Sequence, residues 1–250
     1  MHLDRIMRYP VKSLSCEELH TSILTPGEGL PYDRQWALAH PDSEAAVDFS
    51  WHPKSQYMVL VREKRLAQIK SRFDETTGRL WLEAPGGLHA EGKLNTEEGR
   101  TAIAGAIAKH LGLNSSGQPC LVEADDVAYF DTTKGPISIL NMESHRALEK
   151  VLSQKLNPAR FRMNLLLEGM EPWAEGQWPG NRIAVGETIL QITEPTGRCK
   201  ATHINPDTGE EDTKILHALK DRYGHTQMGV YAVVVQGGAI RVGDDVRVLD

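Results

Sequence analysis

Cysteine is scarce in this 250-residue chain: Cys16, Cys120 and Cys199 form no CxxC pair and no zinc-ligand spacing. A sparse, odd set in a chain of this size excludes a disulfide framework and points to a reducing compartment. No apolar run approaches the roughly 20 residues of a membrane span, and Met1–Pro10 lacks the apolar stretch of a secretion signal. A cytoplasmic chain without membrane attachment is therefore expected. A basic excess is missing too. Against 28 Lys and Arg stand 34 Asp and Glu, for a net charge of −6 and a pI near 5.9. That excludes a general nucleic-acid binder, which would show a basic face. An anionic small molecule held by a few buried cations remains compatible with such a chain.

What is present is the composition of an ordinary globular protein, 40% hydrophobic and 25% charged, in one large domain or two modest ones. Residues 3–9 read as a first strand stopped by Pro10, and Met58–Val61 and Leu80–Leu82 as short strands, the latter after a Thr76-Thr77-Gly78 turn. Ala84-Pro85-Gly86-Gly87 breaks the chain, which places a domain boundary near 85–95 and gives domains 1–90 and 91–250. Asn95, with Glu98 three residues on, opens a helix whose apolar face is Ile103, Ile107 and Leu111 and whose end is capped by Gly112. A second helix follows Asn141 and buries Leu148, Val151 and Leu152; a third spans Thr213–Arg222 and buries Leu216 and Leu219. Ile183–Ile189 and Ile240–Val246 share the pattern I-x-V-G-acid-x-aliphatic, each reading as strand, tight turn, strand. Two such hairpins suggest a small β-barrel with helices at its edges.

Four segments carry chemistry-bearing side chains in turn-like settings. In Tyr9-Pro10-Val11-Lys12-Ser13 an ammonium, a hydroxyl and backbone amides can converge on an anion. Arg34 opens a strand in which Trp36 and Leu38 alternate, and can serve either an internal salt bridge with Asp33 or a phosphate. Arg160 and Arg162 point the same way if their segment is a strand, with Asn164 on that face, ahead of the apolar Leu165-Leu166-Leu167. Cys199 lies between Arg198 and Lys200, followed by a loop of Asn205, Pro206, Asp207 and Gly209. Flanking cations favour the thiolate, the form that attacks electrophiles and ligates metals. Local chemistry leaves Cys199 open between nucleophile, metal ligand and buried structural thiol. His203, four residues on, would make a Cys–His pair only on a helix, which the Asn-Pro-Asp run argues against.

Taken together these segments resemble the MOSC proteins, and among them the amidoxime-reducing components and their bacterial relatives. The likeness rests on Y-P-V-K-S at Tyr9–Ser13, D-R-x-W at Asp33–Trp36, R-F-R-x-N at Arg160–Asn164, R-C at Arg198–Cys199 followed by P-D-T-G, and a terminal R-V-G-D, in that order over nearly the whole chain. The resemblance implies an α+β, strand-rich fold, with a MOSC-type β-barrel and flanking helices preceded by a smaller N-terminal mixed α/β domain. It implies a molybdenum cofactor with Cys199 as the metal ligand and catalytic thiol. Lys12, Ser13 and Arg34 would hold the cofactor's phosphate and pterin, and Arg162, Asn164, Thr196 and Arg198 would make further contacts. Two places depart from the family pattern: Met163 stands where a proline is usual, and Phe49–Lys54 stands near the family's threonine-arginine stretch.

The function so implied is reduction of N-hydroxylated or other N-oxygenated small molecules. No C-x4-C-x2-C run exists among the three cysteines, so no intrinsic iron–sulfur cluster is expected, and electrons would come from a separate donor protein. The rival expectation is a non-catalytic carrier of sulfur or cofactor that uses Cys199 as persulfide or docking thiol. A cysteine hydrolase built on Cys199 and His203 ranks below both, and no lysine context supports pyridoxal phosphate.

Overall fold

The computed structural model describes residues 1–125, 128–130 and 135–249. Along the chain run β1 (His2–Arg8), β2 (Glu17–Leu19), β3 (Thr21–Leu24), β4 (Trp36–Ala39), β5 (Lys70–Asp74), β6 (Arg79–Ala84), β7 (Leu88–Lys93) and α1 (Glu97–His110). They continue with β8 (Cys120–Glu123), β9 (Ile137–Asn141), α2 (Met142–Leu152), β10 (Leu165–Glu168), β11 (Arg182–Val185) and β12 (Thr188–Gly197). The last elements are α3 (Ile215–Tyr223), β13 (Gln227–Gln236), β14 (Gly238–Arg241) and β15 (Val246–Leu249). The fold is α+β and strand-rich, and no described helix is long and apolar enough to cross a membrane.

The largest sheet has the order β15-β11-β12-β13-β9-β10-β1-β2, so the first strand of the chain belongs to the sheet built mostly by its second half. Only β9 and β10 pair in parallel there. Among the described residues the ladder does not close into a continuous barrel. Its two sides meet through an isolated His2–Asp245 bridge, with Leu3 N–H donating to Asp244 O at 2.9 Å and Val246 N–H to Met1 O at 3.0 Å. One buried face carries Leu3, Ile6, Ile139, Leu165, Ile183, Ile192 and Val230, the alternate residues that a half-buried strand turns to its core. A separate core of Leu38, Leu66, Leu80, Ile103 and Ile107 lies between α1, β4 and the β5-β6-β7 sheet. There α1 packs against β7 at glycine: a Cβ on Gly99 would collide with the Lys93 backbone.

Several local expectations change. Thr96, not Asn95, caps α1, its Oγ1 accepting from Gly99 N–H at 3.1 Å. Gly112, at φ 66°, takes the left-handed conformation expected beyond the helix end. Asn141 caps α2 as its type suggests, but Val151 is exposed, and the helix buries Met142, His145 and Leu148 instead. In α3 the fully buried pair is Ile215 and Leu219, with Leu216 only half-buried. Met58–Val61 is no strand; Val59 O accepts from both Arg62 and Glu63 N–H, so the chain turns there. The first V-G-acid copy is a hairpin, β11 to β12. The second is not, because β14 pairs with β3 and β15 with β11. Asp244 holds that turn, its carboxylate accepting from Arg241 N–H at 2.7 Å while its carbonyl takes the Leu3 amide.

His145 on α2 gives the fold a pH dependence. It is 3% exposed, neither ring nitrogen has a hydrogen-bond partner, and its ring meets Phe161 edge-on at 5.7 Å. Burial lowers its pKa to about 4; Glu149 opposes the shift, and Arg5, Arg146 and Lys155 add to it. The unfolded chain takes up this proton near pH 6.5 and the folded chain only near pH 4, so stability falls as pH drops through that window. This group should cost about 2 kcal/mol between pH 7 and pH 5. Urea unfolding at the two pH values should show that loss in the parent chain and a shallower one in His145→Leu. An equal slope in both would contradict the assignment.

Candidate functional site

Three of the six non-glycine residues with left-handed backbone among the described residues, Ser13 (φ 73°), Arg34 (φ 53°) and Arg162 (φ 52°), line the same cavity of about 440 Å³. Each such residue costs roughly 1–2 kcal/mol against a regular conformation, and such strain collects where the surroundings hold side chains in fixed places. The cavity lies where the loop after β1, the approach to β4, the turn before β10 and the end of β12 come together.

Asp33 organises its floor. At 1% exposure its Oδ1 accepts from Tyr9 N–H at 2.7 Å, and its Oδ2 accepts from Asn164 Nδ2 at 3.0 Å and from Arg34 Nη1. The left-handed turn at Arg34 folds the guanidinium back, so that Nη2 donates to Arg162 O at 2.6 Å. Arg162 Nη1 donates to Leu14 O at 2.7 Å. Both guanidinium groups lie over the buried Tyr9 ring, at 4.6 and 4.3 Å from its centroid. Such stacking favours arginine over lysine. Burial keeps the Tyr9 hydroxyl well above the ordinary tyrosine range, against the lowering pull of the two guanidinium groups, so it stays protonated.

The expected pairing of Arg160 and Arg162 on a strand does not occur. Pro158–Phe161 form a short 3-10 turn and Arg162 leaves it in the left-handed region, so the two side chains part. Arg160 Nη2 donates to both carboxylate oxygens of Asp212, at 2.7 and 2.8 Å, and Nη1 donates to His203 O. Arg162 serves the floor. Lys12 is largely buried, with Nζ donating to Tyr129 O at 2.8 Å. Arg198 reaches Phe161 O at 2.5 Å and Met163 Sδ at 3.3 Å, tying the end of β12 to the Arg162 turn. Here the methionine that departs from the family pattern supplies a sulfur acceptor. Cys199 follows as the exposed N-cap of the Lys200–His203 turn.

Lys12, Ser13, Arg34, Arg162, Asn164, Arg198 and Cys199 thus line one cavity. Thr196 does not; it is buried inside β12, away from the lining. Asn164 turns inward, its Oδ1 accepting from Ser138 N–H and Oγ and its Nδ2 donating to Met7 O and Asp33. His203 is no partner for Cys199: its Nε2 accepts the Leu216 amide of α3 at 3.1 Å and its Nδ1 faces Glu211. Burial holds its pKa below the ordinary histidine range. Lys54, Arg62, Phe130 and Tyr231 complete the wall without having been expected there. They come from irregular chain or from a strand face with no local motif, so only tertiary structure identifies them.

The model of the MOSC domain matches residues 110–247, and that of the MOSC N-terminal beta barrel domain matches residues 1–132. Mitochondrial amidoxime-reducing component 1 of Homo sapiens is 32% identical over 137 residues, 50% of this chain and 40% of that protein. Molybdenum cofactor sulfurase of Danio rerio is 30% identical over 264 residues, 92% of this chain and 31% of that protein. The chain therefore matches well under half the length of these curated relatives. The crystal structure of the YUAD protein from Bacillus subtilis aligns over 98% of this chain and 93% of its own, with 12% identity and a TM-score of 0.48.

Asp33→Asn tests the organisation of the floor. It would place an amide opposite donors and leave Arg34 without its buried counter-charge, which should destabilise the chain by about 3 kcal/mol. Urea unfolding measures this, and a loss below about 0.5 kcal/mol would show that Asp33 is not the keystone.

Proposed function

The chain belongs to the MOSC family, and from that premise we propose that its cavity binds a molybdenum cofactor and that it reduces N-hydroxylated or other N-oxygenated compounds. The observation that carries this proposal is the convergence of Lys12, Arg34, Arg162 and Arg198 with the exposed thiol of Cys199 on one cavity. The residues fit the group. A pterin with a terminal phosphate calls for guanidinium and ammonium donors, and molybdenum in this class calls for one soft thiolate. The volume, about 440 Å³, lies within the range of small-molecule sites.

When bound, the cofactor supplies a two-electron redox centre with an affinity for oxygen. The protein supplies everything else. Lys12, Arg34 and Arg162 carry fixed positive charge for the phosphate and pterin, and their own protein contacts hold them in place before the cofactor arrives. Cys199 presents Sγ from the end of β12, where Arg198 is anchored to Phe161 O. Val59, Phe130, Met163 and Tyr231 give the chamber apolar walls that limit water. Overall, the substrate N–O bond breaks, two electrons and two protons are taken up, and the amine or amidine leaves with one water. The electrons come from a separate donor protein.

One observation favours a second reading. The sulfurase relative aligns over 92% of this chain, against 50% for the amidoxime-reducing component. An exposed Cys199 also suits a thiol that carries sulfur or docks a cofactor for delivery. Turnover separates the two. Cofactor-loaded protein supplied with a chemical electron donor should reduce benzamidoxime to benzamidine, and Cys199→Ala should lose about a hundredfold or more in rate. Molybdenum bound without turnover in the parent would establish the carrier instead.

A further inference from the structure

Eight cationic side chains line the cavity, and no carboxylate lines it among the described residues. The eight form two tiers. Lys12, Arg34, Arg160, Arg162 and Arg198 are buried or half-buried, and each is bound to a protein oxygen. Lys54, Arg62 and Lys200 are exposed, and their side chains have no hydrogen bond or ion pair among the described residues. Acids on neighbouring segments are paired, four of them outside the cavity and Asp212 with Arg160 of the inner tier. Asp48 faces His52, Glu63 pairs with Arg65, Glu211 with Lys64, Asp207 with Lys70 and Asp212 with Arg160. In a chain of net charge −6, this mouth is, among the described residues, a local concentration of positive charge in the cavity that holds Cys199.

Such a field is informative because like charges repel, and a cleft wall of low dielectric focuses what remains. The inner tier is held rigidly by the protein, as suits a resident ligand. The outer tier sits on long, mobile stems beside the apolar Val59, Val61 and Phe130, as suits a ligand that comes and goes. We propose that Lys54, Arg62 and Lys200 form an anion-recognition site that draws small molecules bearing a carboxylate or phosphate, with an apolar body, to Cys199. The site stands on the charges of this chain alone. Where the chain is a reductase as proposed above, it makes anionic N-oxygenated compounds the preferred substrates.

Alkylation of Cys199 tests this on the metal-free fraction of the full chain, because a metal-bound thiolate would not react. Iodoacetate is an anion and iodoacetamide is neutral, and in both the thiolate forms one S–C bond to the CH2 group as the C–I bond breaks and iodide leaves. Cys16 and Cys120 are partly buried, and burial also pushes the Cys16 thiol up, so peptide mass spectrometry can follow Cys199 separately. The iodoacetate-to-iodoacetamide rate ratio at Cys199 should exceed that of N-acetylcysteine by about tenfold at low ionic strength. It should collapse in 1 M salt, where the Debye length is about 3 Å. It should fall at least about threefold in the K54E/R62E double variant, both positions being exposed. Protection by benzoate or by phenyl phosphate, compared side by side, identifies which anion the site prefers. A ratio equal to that of N-acetylcysteine, a raised ratio that ignores K54E/R62E, or protection by neither anion would each overturn the proposal. The molybdenum content of the chain before that fraction is taken reports on the cofactor separately, so the two proposals fail independently.

Discussion

A carboxylate buried at 1% exposure is costly unless its lone pairs are filled, and Asp33 fills them from three parts of the chain. The Tyr9 amide comes from the end of the first strand, Asn164 from the turn before β10, and Arg34 from its own loop. Arg34 extends the link to the Arg162 carbonyl. None of these groups can leave without stranding a buried charge. The loop after β1, the approach to β4 and the Arg162 turn therefore assemble together or not at all. The cavity floor is a consequence of that single constraint, and the left-handed backbone at Arg34 and Arg162 is the geometry by which the two side chains reach it.

The same constraint explains how a protein of net negative charge maintains a cationic chamber. The inner guanidinium groups are neutralised or hydrogen-bonded from behind, so their remaining field faces the cavity. Arg160 is occupied by Asp212 and Arg198 by the Phe161 carbonyl. The thiol of Cys199 lines the same cavity, as do the exposed outer cations, which have no partner among the described residues. A chamber with a fixed positive base, one soft ligand and a positively charged mouth is suited to an anionic cofactor inside and an anionic visitor outside.

Much of this was legible in the sequence wherever a local rule governs. Asn141 caps α2 because its side chain reaches the Glu143 amide, and Gly112 ends α1 because glycine tolerates positive φ. Four of the five short motifs contain residues that line the cavity, Lys12, Arg34, Arg162 and Cys199 among them, while the terminal R-V-G-D does not. What the sequence could not carry was tertiary. Arg160 and Arg162 have strand-like spacing, yet Pro158 starts a tight turn that sends them apart. The two V-G-acid turns look alike, but Asp244 captures the Leu3 amide and directs the second copy's strands to different sheets. Met58–Val61 reads as apolar strand and is instead the turn forming one wall of the cavity. Asn164 was expected to face a ligand, whereas its four hydrogen bonds go to Ser138, Met7 and Asp33. Lys54 and Arg62 carry no motif, and their place in the cavity that holds Cys199 is visible only once the chain has folded.

The most direct test of the central claim is the molybdenum and pterin content of the full chain, purified from cells with cofactor synthesis intact. One molybdenum and one pterin per chain are expected in the parent. Cys199→Ala should weaken metal retention, and Arg34→Ala, which removes a floor cation, should lose both metal and pterin. A parent chain that carries neither would contradict the account.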